Sequence, residues 1–187
     1  MTMKIKDFNK FQIIPSIRRL NDLEVALNSK CQIVLLTEAD IANLKSLVEM
    51  VHAKKKKAWV NLELLGGFGR DQVGMKLLKN YYQVDGVMST DSTKLGMARR
   101  CNLITVQRFL IADSRGYDTS LRILESTKVD AAEILPAATA VNIFDALRRV
   151  TDIPLLAGGF IQDRVMIHQL QEIGYNGITI SKKTFWK

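Results

Sequence analysis

The sequence predicts an α/β protein: a compact (β/α)8, TIM-like barrel with short helices and an abbreviated or missing last helix. Three observations predict it. Eight apolar, partly β-branched runs recur along the 187 residues. Between them lie stretches with apolar residues three or four apart, which is helical spacing. The runs are continuously apolar rather than alternating, as in a parallel sheet covered on both faces. Eight strand–helix units suit a closed barrel better than a five- or six-stranded open sheet. The chain is shorter than the ~250 residues usual for such barrels, so its helices must be short.

The elements follow in order. The first strand covers 12–14, and Leu20, Leu23 and Leu27 then share a helical face. The second, 33–36, leads to Leu44, Leu47, Val48 and Val51. The third, 58–62, precedes Met75, Leu78 and Lys79, and the fourth, 86–88, precedes Leu95 and Ala98. The fifth, 103–106, is followed by Leu121 and Leu124, and the sixth, 131–135, by Ile143, Ala146 and Leu147. The seventh, 154–157, precedes Val165, Ile167, Leu170 and Ile173. The eighth, 177–180, has only a closing KKTFWK after it, too little for a full helix.

Composition narrows the class. No linker or low-complexity segment interrupts the pattern, so one domain is expected over 1–187. The apolar fraction of 47% and charged fraction of 25% are ordinary for a globular protein. No apolar run approaches the roughly 20 residues of a membrane span. The opening MTMKIKDFNKF lacks the apolar core of a signal peptide. A cytoplasmic protein is expected, with no membrane partner and with Cys31 and Cys101 as buried thiols rather than a disulfide. The sequence leaves room for a homo-oligomer. The formal charge of +8 favours an anionic partner such as RNA.

In a barrel of this kind, chemistry collects where the strands end and the βα loops emerge. Gly158 and Gly159, with Phe160 beside them, stand at the seventh mouth, and Ser181 and Lys182 at the eighth. Barrels commonly bind phosphate with these two loops. Glycine lets backbone N–H groups approach the oxygens, a helix N-terminus favours the charge, and Ser181 and Lys182 add a hydroxyl and a cation. Arg18, Asp40, Asn61, Glu63, Ser89, Arg108 and Glu133 are candidate ligand-binding residues at the other mouths, with Glu38, Thr90, Gln107 and Asp113 nearby. Glu133 interrupts an apolar strand, and a buried charge needs a partner; Arg108 on the neighbouring strand can supply one. That pair reads equally as structural or as ligand-binding, and Glu63 carries the same ambiguity. Acidic strand ends could hold Mg²⁺, but no spacing demands it, and no metal is expected. His52 and His168 fall in predicted helices and read as surface residues. The acid–base inventory is carboxylates alone, so no catalytic residue is assigned and an enzyme is not expected.

The strings PSIRRL, LLTEADIANLKSLV, DGVMST, TVQRFLIADS, AEILPA, IPLLAGGFI and GITISKKTFW resemble those of the bacterial glycerol-3-phosphate-responsive antiterminators, in order and spacing, from about residue 14 to 186. The resemblance implies a small barrel with glycerol 3-phosphate as effector and no cofactor. It also implies action on the leader mRNA of glycerol-utilisation genes, so that transcription passes a terminator. Asn61 and Glu63 stand where the family usually carries His and Asp, Ala137 where glycine is usual, and residues 179–182 replace a run closer to STSN. The alternative is a barrel enzyme of phosphodiesterase or phosphosugar isomerase type, which would share the phosphate site.

Basic residues form a second pattern. Lys54, Lys55, Lys56, Lys57, Arg99, Arg100, Arg148 and Arg149, with Lys30, Lys79 and Lys128, fall at helix C-termini or in the loops entering the next strand. A barrel places these on the face opposite the ligand mouth, where they are the candidate RNA-binding set. Cations at helix C-termini offset the macrodipole, which accounts for one charge per helix and poorly for four adjacent lysines. Arg18, Arg19, Arg70, Arg108, Arg115, Arg164, Lys182 and Lys183 form a rival set around the mouth.

Overall fold

A computed structural model describes residues 6–187. Their eight strands are β1 (Gln12–Ile17), β2 (Ile33–Leu36), β3 (Lys57–Asn61), β4 (Gly86–Ser89), β5 (Ile104–Leu110), β6 (Ala131–Leu135), β7 (Leu155–Gly158) and β8 (Gly177–Ile180). They close into a parallel barrel in chain order, with β8 bonded to β1. The helices are α1 (Leu23–Leu27), α2 (Leu44–Ala53), α3 (Gln72–Asn80), α4 (Ser92–Arg100), α5 (Ser114–Ser126), α6 (Ala137–Val150) and α7 (Arg164–Ile173). This is the predicted architecture. Strands β1 and β5 run on through Pro15–Ser16 and Gln107–Arg108, whose chemistry hides the continuation from an apolar pattern. The last helix is reduced to a 3-10 turn, Lys183–Phe185. Trp186, 1% exposed, anchors the chain end by donating its indole N–H to the Ile180 carbonyl at 2.9 Å.

Two apolar clusters hold the barrel. The inner one includes Ile14, Leu35, Trp59, Met88, Val106 and Leu156, and Phe8 closes its lower end with a ring 6.2 Å from that of Trp59. The outer one joins the opposite faces of the strands, such as Val34, Leu36 and Val60, to the helices through Leu44, Leu47, Val48 and Val51. Strand alternation therefore sorts residues: one parity faces inward, the other faces the helices. Gly86 lies against Trp59, where an added Cβ would sit 2.7 Å from Nε1. Gly86→Ala is expected to cost about 1–3 kcal/mol by overpacking, read as a lower urea midpoint at unchanged slope.

Some expectations change. Leu20 precedes α1 and Val165 lies in the first turn of α7; both are exposed, at 42% and 76%, instead of joining the apolar face. His52 is half-buried, its Nε2 2.8 Å from Asp85 Oδ2, which also accepts from the Ala58 N–H at 2.8 Å. It ties α2 to the turn before β4 rather than facing solvent. His168 is exposed, 3.2 Å from Glu172. The cysteines are free but only half-buried: Cys31 Sγ lies 3.5 Å from the Trp186 carbonyl, and Cys101 Sγ accepts from Gln72 Nε2 at 3.1 Å.

Candidate functional site

The inward parity that is apolar at the bottom of the barrel turns polar at the top. On β3, Trp59 is followed two residues later by Asn61; on β5, Val106 by Arg108; on β6, Ala131 by Glu133. On β7, Leu156 is followed by Gly158, and β8 contributes Thr179. Register sets Arg108 beside Glu133, and Gly158 beside Thr179. Glu133 is fully buried; its Oε2 lies 2.6 Å from Arg108 Nε, and its Oε1 accepts a hydrogen bond from Thr179 Oγ1. The structure thus brings Arg108 and Glu133 together as the sequence anticipates. It adds Thr179, which the sequence sets at the eighth mouth without assigning it a partner. A desolvated carboxylate with this pair of donors is held in one position.

The two glycines do different work. Gly158 sits on β7, between β6 and β8; a Cβ there would lie 2.6 Å from Thr179 Oγ1 and 2.7 Å from Glu133 Oε1. Only a residue without a side chain lets those groups meet across the strand. Gly159 has φ +77°, the left-handed region that favours glycine. Phe160 follows at φ +59° and 81% exposure, an unusual conformation for an aromatic residue. Lys182 Nζ donates to the Gln162 carbonyl at 2.8 Å, joining the seventh and eighth mouths. Lys182 and Arg164 both lie over the buried Phe185 ring, at 5.2 and 5.9 Å from its centroid. Two cations therefore stand beside the glycine loop, while Ser181 is exposed next to them. The sequence places Arg164 and Lys182 in the basic set around the mouth; the structure adds that both lie over Phe185.

The other mouth candidates divide. Asn61 is buried and its Oδ1 accepts from the Glu63 N–H at 3.0 Å. Glu63 Oε1 accepts from Ser89 Oγ at 2.5 Å, while its Oε2 is buried with no hydrogen-bond partner among the described residues. Ser89 follows the inward Met88, so alternation turns it outward, where it also accepts from the Asp91 N–H at 3.0 Å. Asp40 does not face the other candidates as a free carboxylate: Oδ1 caps the turn before α2 through the Ala42 and Asn43 N–H groups, at 2.8 and 2.9 Å. Asp113 is the N-cap of α5, accepting from the Gly116 N–H at 2.7 Å, and Asp71, Asp91 and Asp163 cap α3, α4 and α7 in the same way. The Lys94 ammonium, bonded to Asp91, holds that carboxyl below the usual range. Gln107 bonds the Thr90 carbonyl at 2.8 Å and Ser92 Oγ at 3.1 Å, so it supports the loop. Arg18, Glu38 and Thr90 are exposed at the rim. Among the described residues, no group of three or more His, Cys, Asp or Glu side chains could hold a metal ion.

On the opposite face the lysine run separates into distinct roles. Lys54 and Lys55 are exposed, with Lys55 at φ +57° in the turn that ends α2. Lys56 is 8% exposed; its ammonium donates to the Ser29 carbonyl at 2.7 Å and to the Cys31 carbonyl, and burial pushes its pKa down. Lys57 opens β3 and is half-buried. Arg148 bonds the Ile153 carbonyl at 2.7 Å and Asn176 Oδ1 at 3.1 Å, so it braces the entry to β7. Lys56 and Arg148 thus hold loops, Lys56 buried and Arg148 half-buried, a structural role that the grouping read from the sequence does not distinguish. Arg99, Arg100 and Arg149 are exposed.

Comparison with known proteins places this arrangement. A family model for the glycerol-3-phosphate responsive antiterminators matches residues 13–186. A glycerol uptake operon antiterminator regulatory protein from Listeria monocytogenes has a similar structure, with TM-score 0.86 and 26% identity over 94% of each chain. A glycerol uptake operon antiterminator-related protein from Thermotoga maritima gives TM-score 0.81 at 21% identity, covering 95% of this chain and 98% of that one. The uncharacterized protein YgcP of Escherichia coli (strain K12) is 23% identical over 174 residues, 93% of this chain and 91% of its own length. A HpcH/HpaI aldolase/citrate lyase family protein from Burkholderia cenocepacia shares the barrel at 14% identity and TM-score 0.65, over 98% of this chain and 91% of that one.

Proposed function

The chain belongs to the glycerol-3-phosphate responsive antiterminator family, and from that premise we propose that it is a cytoplasmic regulator which binds glycerol 3-phosphate at the barrel mouth and acts on a leader transcript. One observation carries the ligand half: the left-handed Gly159 loop stands beside Arg164 and Lys182, next to the inward layer of Arg108, Glu133 and Thr179. The loop and its cations suit a phosphoryl group. Glu133, Glu63 and Asn61 offer acceptors and a donor for the glycerol hydroxyls. The transcript half is supported by the exposed cations on the opposite face. A five-residue strand at ~3.3 Å per residue separates the two faces by roughly 17 Å. Ligand control then acts through a change in barrel shape or assembly, which requires different affinities for two states.

Titration calorimetry tests this reading directly. Glycerol 3-phosphate should bind, whereas glycerol and inorganic phosphate alone should bind much more weakly. Equal binding of inorganic phosphate would remove the glycerol end of the proposal. A second reading rests on the unpartnered Glu63 Oε2, which could serve as a base in a barrel enzyme acting on a phosphorylated compound. Purified protein incubated with glycerol 3-phosphate or glycerophosphodiesters should leave them intact. Turnover that disappears in Glu63→Gln would favour the enzyme instead.

A further inference from the structure

We propose that the cleft between the C-terminal end of α4 and the loops entering β5 and β6 binds a nucleotide stretch of single-stranded RNA, with phosphates on its rim and a base on its floor. This rests on the reading that the chain acts on a transcript, and it names the surface that does so. The cleft has a volume of about 760 Å³ and lies on the face opposite the ligand mouth. Its cations are Lys79 from α3, Arg99 and Arg100 from α4, and Lys128 from the loop before β6. Compensation of helix dipoles explains a cation at one helix end. With the helix ends gathered on one face it accounts for Lys79 and one arginine of α4, and leaves the second arginine and Lys128, beyond the end of α5, unexplained. None of the four forms an ion pair among the described residues, and Arg100 has only a 3.4 Å contact to Gln72 Oε1. The one acid in the cleft, Asp130, is directed to the backbone N–H and hydroxyl of Thr105, at 2.8 and 2.9 Å. Four cations against this one carboxylate leave the cleft net positive, a field that attracts an external anion.

The floor distinguishes an RNA strand from a simple anion. Ile104 and the aliphatic stems of the rim cations provide apolar surface over the buried Leu95, Leu103 and Val129, and Gly96 leaves a gap in the wall of α4 where a Cβ would meet nothing within 4 Å. A flat base can lie on such a surface while its flanking phosphates reach the rim. Single-stranded RNA offers unstacked bases together with closely spaced charge, which a duplex does not. Lys54 and Lys55 lie outside this cleft and are secondary to it.

The test uses the full chain and a fluorescein-labelled RNA hairpin with a single-stranded loop, read by anisotropy over a range of salt. The triple variant Arg99→Gln, Arg100→Gln, Lys128→Gln removes three charges while keeping an aliphatic stem at each position. Gly96→Leu fills the cleft without changing charge, at a helical position where leucine is a better helix former than glycine. The charge variant should bind about tenfold more weakly or worse, with its salt slope reduced by about 2, since each single-strand phosphate contact contributes ~0.7. Gly96→Leu should weaken binding at an unchanged slope, and both variants should retain wild-type glycerol 3-phosphate affinity. If the wild type binds the RNA and both variants bind it equally well, the cleft assignment is overturned. Loss of binding on replacing Arg115 and Lys183 would then locate the transcript at the mouth. A wild type that binds no RNA at any salt concentration would overturn the transcript reading as well.

Discussion

Replacing Arg108 with alanine is expected to destabilise the fold by about 3–5 kcal/mol, the usual cost of leaving one member of a buried ion pair without its partner. Glu133 is fully buried, and its Oε2 has Arg108 Nε at 2.6 Å as its ionic partner. Thr179 bonds the other oxygen and cannot replace the charge. Urea unfolding should show a large fall in midpoint with little change in slope. The double variant Arg108→Met, Glu133→Leu should recover most of that loss, because a buried pair can often be exchanged for packed apolar residues at little net cost. It should not recover glycerol 3-phosphate binding if the pair also touches the ligand. Recovery of both would make the pair structural alone. A loss below about 1 kcal/mol in Arg108→Ala would contradict the burial argument itself, since that is the range of exposed pairs.

Gly159→Asp should abolish phosphate binding. A carboxylate ~4 Å from a phosphoryl charge is repelled by about 4 kcal/mol at an effective dielectric of ~20, roughly a thousandfold in affinity. The position on the sequence suggests little cost to folding, but the structure adds one: at φ +77° any side chain is strained, by about 1–2 kcal/mol for an L-residue. Gly159→Asn separates the two effects. Asparagine has nearly the same shape and tolerates the left-handed region as well as aspartate, but carries no charge. Both variants should lose similar stability, while only the aspartate loses affinity in calorimetry. Equal affinities in the two folded variants would place the phosphoryl group elsewhere.

The sequence by itself determined the barrel. Continuous apolar strands separated by helically spaced apolar residues leave few other ways to bury both faces of a sheet, and this information is local to each unit. The same local chemistry exposed Glu133, because a carboxylate inside AAEIL must be paired, and it marked the mouths of the last two units by their small residues. It could not separate Asp40 and Asp113 from ligand groups. In a βα unit the helix N-cap and the strand mouth fall on the same few residues, and an aspartate suits either role. Nor could it rank the four lysines, since only the turn after α2 shows that Lys56 points inward to the Ser29 and Cys31 carbonyls.

Tertiary structure alone decided the partners that lie across strands. Thr179 reaches Glu133 from two strands away only because register sets Gly158 between them and that residue has no side chain. Arg164 and Lys182 become neighbours only because the abbreviated last unit folds Phe185 beneath both. The cleft beside α4 exists only where three separate segments converge. Periodicity reports which face of an element each residue occupies. Contact between elements depends on the register and closure of the whole barrel, and those are set jointly by every strand rather than by any one stretch of chain.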